Sequence, residues 1–230
     1  MSNNWILLPL FVGLTPIQAA PASSQGESTG KIEILLPGSH LGDREWPTSG
    51  MSWFGLYAGP TGYYLKRTTV QLDSVPNPCS GLAVQVSVDT EAEPLLLVRG
   101  PLPLQEGPIA TVFAGSLFLP PREHVVFELN PSLRYSFSAR GQMIRQQGLL
   151  RDYALSIHRL THPNVQSQEL ATFQRANLDS PPELRWLGDL DRDGKLDAFL
   201  YLPGRYTLYV SSLAGNELLA NVAGFAHVIC

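Results

Sequence analysis

Charge is scarce in this chain: only 16% of its 230 residues are Asp, Glu, Lys or Arg, and the formal net charge at pH 7 is −4. The sixteen basic residues are dispersed along the sequence. A nucleic-acid partner needs a concentrated basic face to neutralise phosphates, so this distribution argues against one. Cysteine is scarcer still, with Cys79 and Cys230 the two in the chain and no C-x-x-C pair to make a redox or zinc site. The apolar run 5–14 is interrupted by Pro9 and falls far short of the roughly 20 residues that span a bilayer. There is no phosphate loop, no G-x-G-x-x-G and no zinc spacing. Uninterrupted stretches are also rare, because 20 Gly and 19 Pro are spread throughout and leave few segments long enough for a helix.

What is present is an ordinary globular composition with 44% apolar residues. The apolar run 5–14, followed by Ala20-Pro21-Ala22, reads as a signal peptide over residues 1–22, although its leading segment carries no Lys or Arg. Residues 23–30 read as a flexible linker and 31–230 as one β-rich domain. An exported chain meets an oxidising compartment, where Cys79 and Cys230 are expected to pair. By the chain-entropy estimate, closing so long a loop contributes on the order of 4–5 kcal/mol.

Between the breakers the pattern is strand-like. Segments 52–57 and 63–72 flank Ala58-Gly59-Pro60-Thr61-Gly62 and predict a hairpin. Further strands are expected at 82–88, 95–98, 109–113, 125–129, 135–139, 153–160, 170–173, 184–187, 198–202, 206–211 and 218–225. About a dozen short strands imply an all-β fold, a single compact sandwich or barrel. Segment 164–180, which lacks Gly and Pro, is also compatible with a helix. Pro101-Leu102-Pro103-Leu104 and Ser180-Pro181-Pro182 read as connectors, the second marking a possible boundary near 178–183 before a calcium-loop unit over 183–230.

The densest chemical signal is Asp189-Leu190-Asp191-Arg192-Asp193-Gly194-Lys195-Leu196-Asp197, which holds four of the nine aspartates in the chain. Carboxylates at alternate positions of a tight turn face one centre, and Gly at the sixth position permits the sharp bend; such an oxygen cage suits a hard cation, Ca2+ above all. The ligands expected are the carboxylates of Asp189, Asp191, Asp193 and Asp197 and the backbone carbonyl of Lys195, with Leu196 packed beneath the loop and the side chains of Arg192 and Lys195 turned to solvent. Position 12 is Leu200, where an EF-hand carries a bidentate Glu, and the apolar flanks are four to five residues long. The loop is therefore expected between two strands.

Residues 186–200, Trp-Leu-Gly-Asp-Leu-Asp-Arg-Asp-Gly-Lys-Leu-Asp-Ala-Phe-Leu, resemble the calcium-binding core of an FG-GAP or VCBS-type repeat. Those repeats resemble propeller blades and occur in tandem, whereas this chain carries one such loop. One blade buries no face against a neighbour, so the resemblance implies calcium binding and leaves the fold open. Over its whole length, from Trp53-Phe54-Gly55-Leu56-Tyr57 through Cys79 to Cys230, the chain also resembles an uncharacterised family of small secreted bacterial proteins that end in this loop and a final Cys. That likeness implies a periplasmic or secreted location and no particular activity.

Catalytic signals are weak. Gly50-Met51-Ser52-Trp53-Phe54-Gly55 has one residue too many for a nucleophile elbow. His158 and His162, on a strand, would stand about 13 Å apart and could not chelate one ion. Glu123, His124 and Asp152 are titratable but isolated in sequence. The leading expectation is a non-catalytic exported β protein with one structural Ca2+, binding an extracellular or envelope ligand. The alternatives are a carbohydrate-binding module using Trp46, Trp53, Tyr57, Tyr63, Tyr64, Tyr206 and Tyr209, which otherwise serve packing, and a hydrolase whose site is assembled only in space.

Overall fold

The computed structural model describes residues 30–41, 45–77, 81–160 and 165–227. The signal peptide, nearly all of the linker, His162, Cys79 and Cys230 lie outside the described residues. Sixteen strands run along the described chain: β1 (Glu33–Leu35), β2 (Gly38–His40), β3 (Met51–Gly59), β4 (Gly62–Asn77), β5 (Gly81–Val88), β6 (Leu96–Arg99), β7 (Gly107–Ile109), β8 (Thr111–Phe118), β9 (His124–Asn130), β10 (Leu133–Ile144), β11 (Leu149–Leu160), β12 (Val165–Asn177), β13 (Glu183–Gly188), β14 (Asp197–Leu202), β15 (Arg205–Val210) and β16 (Ala220–Ala226). One 3-10 turn, Arg145–Gln147, interrupts them. The protein is all-β.

The strands form three antiparallel sheets. The first runs β1-β6-β3-β4-β5-β2, with β7 also paired to β4; the second is β12-β11-β10-β9; the third is β16-β15-β14-β13-β8. Two hydrophobic cores show how they stack. One joins Leu56, Val70 and Leu97 of the first sheet to Trp186, Phe199 and Leu208 of the third. The other joins Phe137, Leu155 and Ile157 of the second sheet to Leu184, Leu187 and Leu200 of the third. The third sheet is thus the central layer, apolar on both faces, and every residue of β14 is buried. That is why 198–202 reads as a continuous apolar run while β9, at the outside, alternates half-buried Val125 and Phe127 with exposed His124, Val126 and Glu128.

Local irregularities fit the strands to these layers. A register shift at Arg185 breaks the period-two alternation, so that Leu184 enters one core and Trp186, two residues on, the other. The predicted hairpin is present with a tighter turn: β3 and β4 pair out to Gly59 and Gly62, leaving Pro60-Thr61 at the tip, with Gly62 at φ +133°. The segment 109–113, read as one strand, is two, because the chain leaves β4 after Ile109 and joins β13 from Thr111. Segment 165–177 is a strand rather than a helix. It lies along β11 over the whole of that strand, and at its bulge the Leu170 carbonyl accepts a 2.7 Å hydrogen bond from the Tyr209 hydroxyl. Long-range pairing overrides local propensity here.

Adjacent Phe199 and Leu200 test the three-layer arrangement, since each is fully buried in a different core. Phe199→Ala should cost about 3–5 kcal/mol and Leu200→Ala about 2–5 kcal/mol in urea unfolding. A Leu200→Ala loss below about 1 kcal/mol would contradict a second core on that face.

Candidate metal centre

The aspartate loop connects β13 to β14 in the central sheet. Leu190 enters the core shared with the first sheet and Leu196 the core shared with the second, both fully buried, so the loop is pinned from both sides. Gly194 takes φ +82° at the bend, as the sixth-position glycine was expected to. Gly188, just before the loop, is demanded by close approach: a Cβ there would lie 2.3 Å from the Ala110 carbonyl oxygen. The same carbonyl accepts the Asp189 N–H at 2.8 Å. The chain's crossing from the first sheet to the third therefore abuts the mouth of the loop.

Asp189, Asp191 and Asp197 bring one carboxylate oxygen each within 4.8 Å of one another. A cation coordinated at about 2.3–2.6 Å tolerates ligand oxygens up to twice that distance apart, so the three can share one ion. Asp197 is fully buried. Its Oδ2 accepts from the Leu190 N–H at 2.7 Å, and its Oδ1 from the Ser211 N–H at 2.8 Å and the Ser211 hydroxyl at 3.0 Å. Asp191 accepts from the Asp193 N–H at 3.3 Å and from the Ser212 hydroxyl. Asp189 Oδ2 accepts the Gly194 N–H at 3.0 Å, whereas its Oδ1 is buried without a partner. An orphaned carboxylate oxygen is costly, and beside two other carboxylates it is the donor a metal ion would satisfy. The residues fit a cation.

Asp193, expected as a fourth ligand, stands beside this group. Its carboxylate accepts from the Lys195 N–H at 2.8 Å and the Ser211 hydroxyl at 3.2 Å, and the Lys195 ammonium lies 3.3 Å away. Arg192 is exposed, as expected, and its side chain is also tied to the first sheet. At φ +61°, its guanidinium donates to the carbonyls of Gln105 at 3.3 Å and Glu106 at 3.0 Å, ahead of β7 in the first sheet. From the second sheet, Tyr135 reaches the Leu196 backbone, and burial pushes its hydroxyl pKa up. Ser211 and Ser212 were missed by sequence reasoning, because nothing local distinguishes a Ser pair after β15 from a solvated turn.

The other sequence candidates stay apart. His158 is held between the Ser138 and Ser167 hydroxyls, both at 2.8 Å, on the outer face of the second sheet. Glu123 and His124 are exposed at the start of β9, and Asp152 is exposed at φ +48° on β11. Of the aromatics, Trp53, Tyr57 and Tyr209 are buried, Tyr206 stacks on Phe199 at 5.5 Å, and Trp46, Tyr63 and Tyr64 are half-buried.

No protein-family model, curated protein or solved structure matches the chain. Fold and site together define a class, an all-β protein whose central sheet carries three close-set aspartates able to hold a metal ion.

Burial raises the Asp197 carboxyl from the ordinary 3.8 to about 7, with the Asp191 charge adding to the rise, and burial likewise raises Asp189. An acid with a raised folded pKa holds its proton longer in the folded than in the unfolded chain, so metal-free stability falls as pH climbs from about 4 to about 7. In chelator, the urea midpoint should be lower at about pH 8 than at about pH 5, and saturating metal should shrink or reverse that gap because ligands bind deprotonated. Equal midpoints in chelator would contradict this account.

Proposed function

We propose that the aspartate loop holds a structural Ca2+ and that the protein is an exported, calcium-stabilised β protein, acting without catalysis as a binding or structural component at or beyond the cell envelope. The observation that carries the metal reading is the partnerless, buried Oδ1 of Asp189 beside the carboxylates of Asp191 and Asp197. An all-oxygen donor set favours a hard cation. Ca2+ suits it better than Mg2+, which demands near-octahedral geometry and keeps its waters. Asp193 and the Lys195 carbonyl complete the donor set in this reading. Export is supported by the apolar run 5–14 with its Ala20-Pro21-Ala22 site, and the Cys79–Cys230 pairing follows from that compartment. A non-catalytic role is supported by the isolation of the titratable groups: Glu123 and His124 stand exposed at the start of β9, while Asp152 and His158 sit six residues apart along β11.

Without a position-12 Glu, affinity should be of the extracellular type, roughly 10⁻⁴ to 10⁻³ M. At tenfold excess over the dissociation constant, Ca2+ adds about 1.4 kcal/mol of stability, read as a rise in melting temperature. Asp189→Ala should abolish that rise. Arg192→Ala should keep the binding stoichiometry while lowering the melting temperature, since it removes the tie to Gln105 and Glu106. No calorimetric binding and no change in melting between chelator and several-millimolar Ca2+ would overturn the metal reading.

Export is tested separately. Protein recovered from the periplasm or medium of a bacterial host should have lost about 22 residues by intact mass, and non-reducing peptide mapping should link Cys79 to Cys230. Retained Met1 in the exported fraction would contradict the signal peptide, and two free thiols there would contradict the bridge.

A further inference from the structure

A cleft of about 460 Å³ opens where the edge strand of the first sheet, β1, meets the edge strand of the central sheet, β16. It shares no residue with the aspartate loop. We propose that this cleft binds a neutral polyhydroxylated ligand, a saccharide. Its size lies within the range of small-molecule sites, about 300–1,000 Å³.

Among the described residues its charged wall is balanced, with Lys31 and Arg99 against Glu33 and Glu45. An anion drawn to the first pair meets the second, and a cation meets the reverse. A sugar hydroxyl both donates and accepts, so it can use all four groups together with the Thr48 hydroxyl at the rim. Sugars also present an apolar C–H face. Half-buried Trp46 offers the matching surface, its indole fixed edge-on against Phe225 at 6.4 Å and 68°.

The cleft is also braced from below. Arg99 lies 5.0 Å over the Trp53 ring, and its Nε and Nη2 both donate to Glu33 Oε2, so cation and carboxylate are held in place before a ligand arrives. Prior fixation of this kind lowers the ordering cost of binding. Trp53 itself, 1% exposed, keeps an indole N–H with no acceptor, a donor left over in a residue that lines the cleft.

The test is calorimetry and amide NMR on the full mature protein in saturating Ca2+, titrated with maltohexaose, cellohexaose, chitohexaose and, as the anionic arm, an oligogalacturonate. At least one neutral oligosaccharide should bind and shift the amides of 31–35, 45, 46, 48–51 and Arg99. Glu45→Ala and Thr48→Ala, both at exposed positions, should each weaken it by about tenfold, the worth of one lost hydrogen bond to such a group, with the melting temperature unchanged. The proposal is overturned by no binding of any neutral probe, by shifts confined to other surfaces, by tighter binding of the oligogalacturonate, or by affinity indifferent to both substitutions.

Discussion

Everything in this fold depends on a sheet that has no wet face. β14 is buried along its whole length, and the central sheet gives alternate side chains to two separate cores. Where such a layer is buried, the backbone groups at its strand ends need partners within the protein. Its connections must satisfy their own backbone groups, and the β13–β14 loop does so with carboxylates: Asp197 takes the N–H groups of Leu190 and Ser211, and Asp189 takes that of Gly194. The acidic loop is thus a capping device for a buried sheet first, and its charge follows from that duty.

The three sheets converge on this loop through different chemistry. Arg192 ties it to backbone carbonyls ahead of β7, Ser211 and Ser212 tie it to the end of β15, and Tyr135 meets the Leu196 backbone from the far layer. Burial first, and the neighbouring carboxylate charges second, make ionisation costly here and raise Asp197 and Asp189. A cation offsets that cost where it is largest.

The sequence shows some of this plainly and hides the rest for physical reasons. The all-β class, the bend at Gly194 and the inward Leu196 are legible because they rest on local rules, namely period-two alternation, breaker spacing and a glycine at a left-handed turn. β1 and β2 escape because three residues carry no periodicity. The break at Ala110 escapes because it is set by the approach of Gly188, nearly eighty residues on. The Arg192 contact is equally distant in sequence, so only the assembled sheets reveal it. The strand 165–177 is ambiguous by composition and is decided by its ladder with β11.

The order of strands in the central sheet also bears on when the molecule can exist as a folded body. β8 comes from the middle of the chain, yet its partner β13 and the three strands beyond it come from 183–226. Both outer sheets are made earlier and face an absent middle. A growing chain therefore carries two half-cores with nothing to close them, and pairing β8 to β13 spans the whole of the second sheet. Such a topology folds late and slowly. Until its last strands have arrived, such a polypeptide stays extended enough to be threaded.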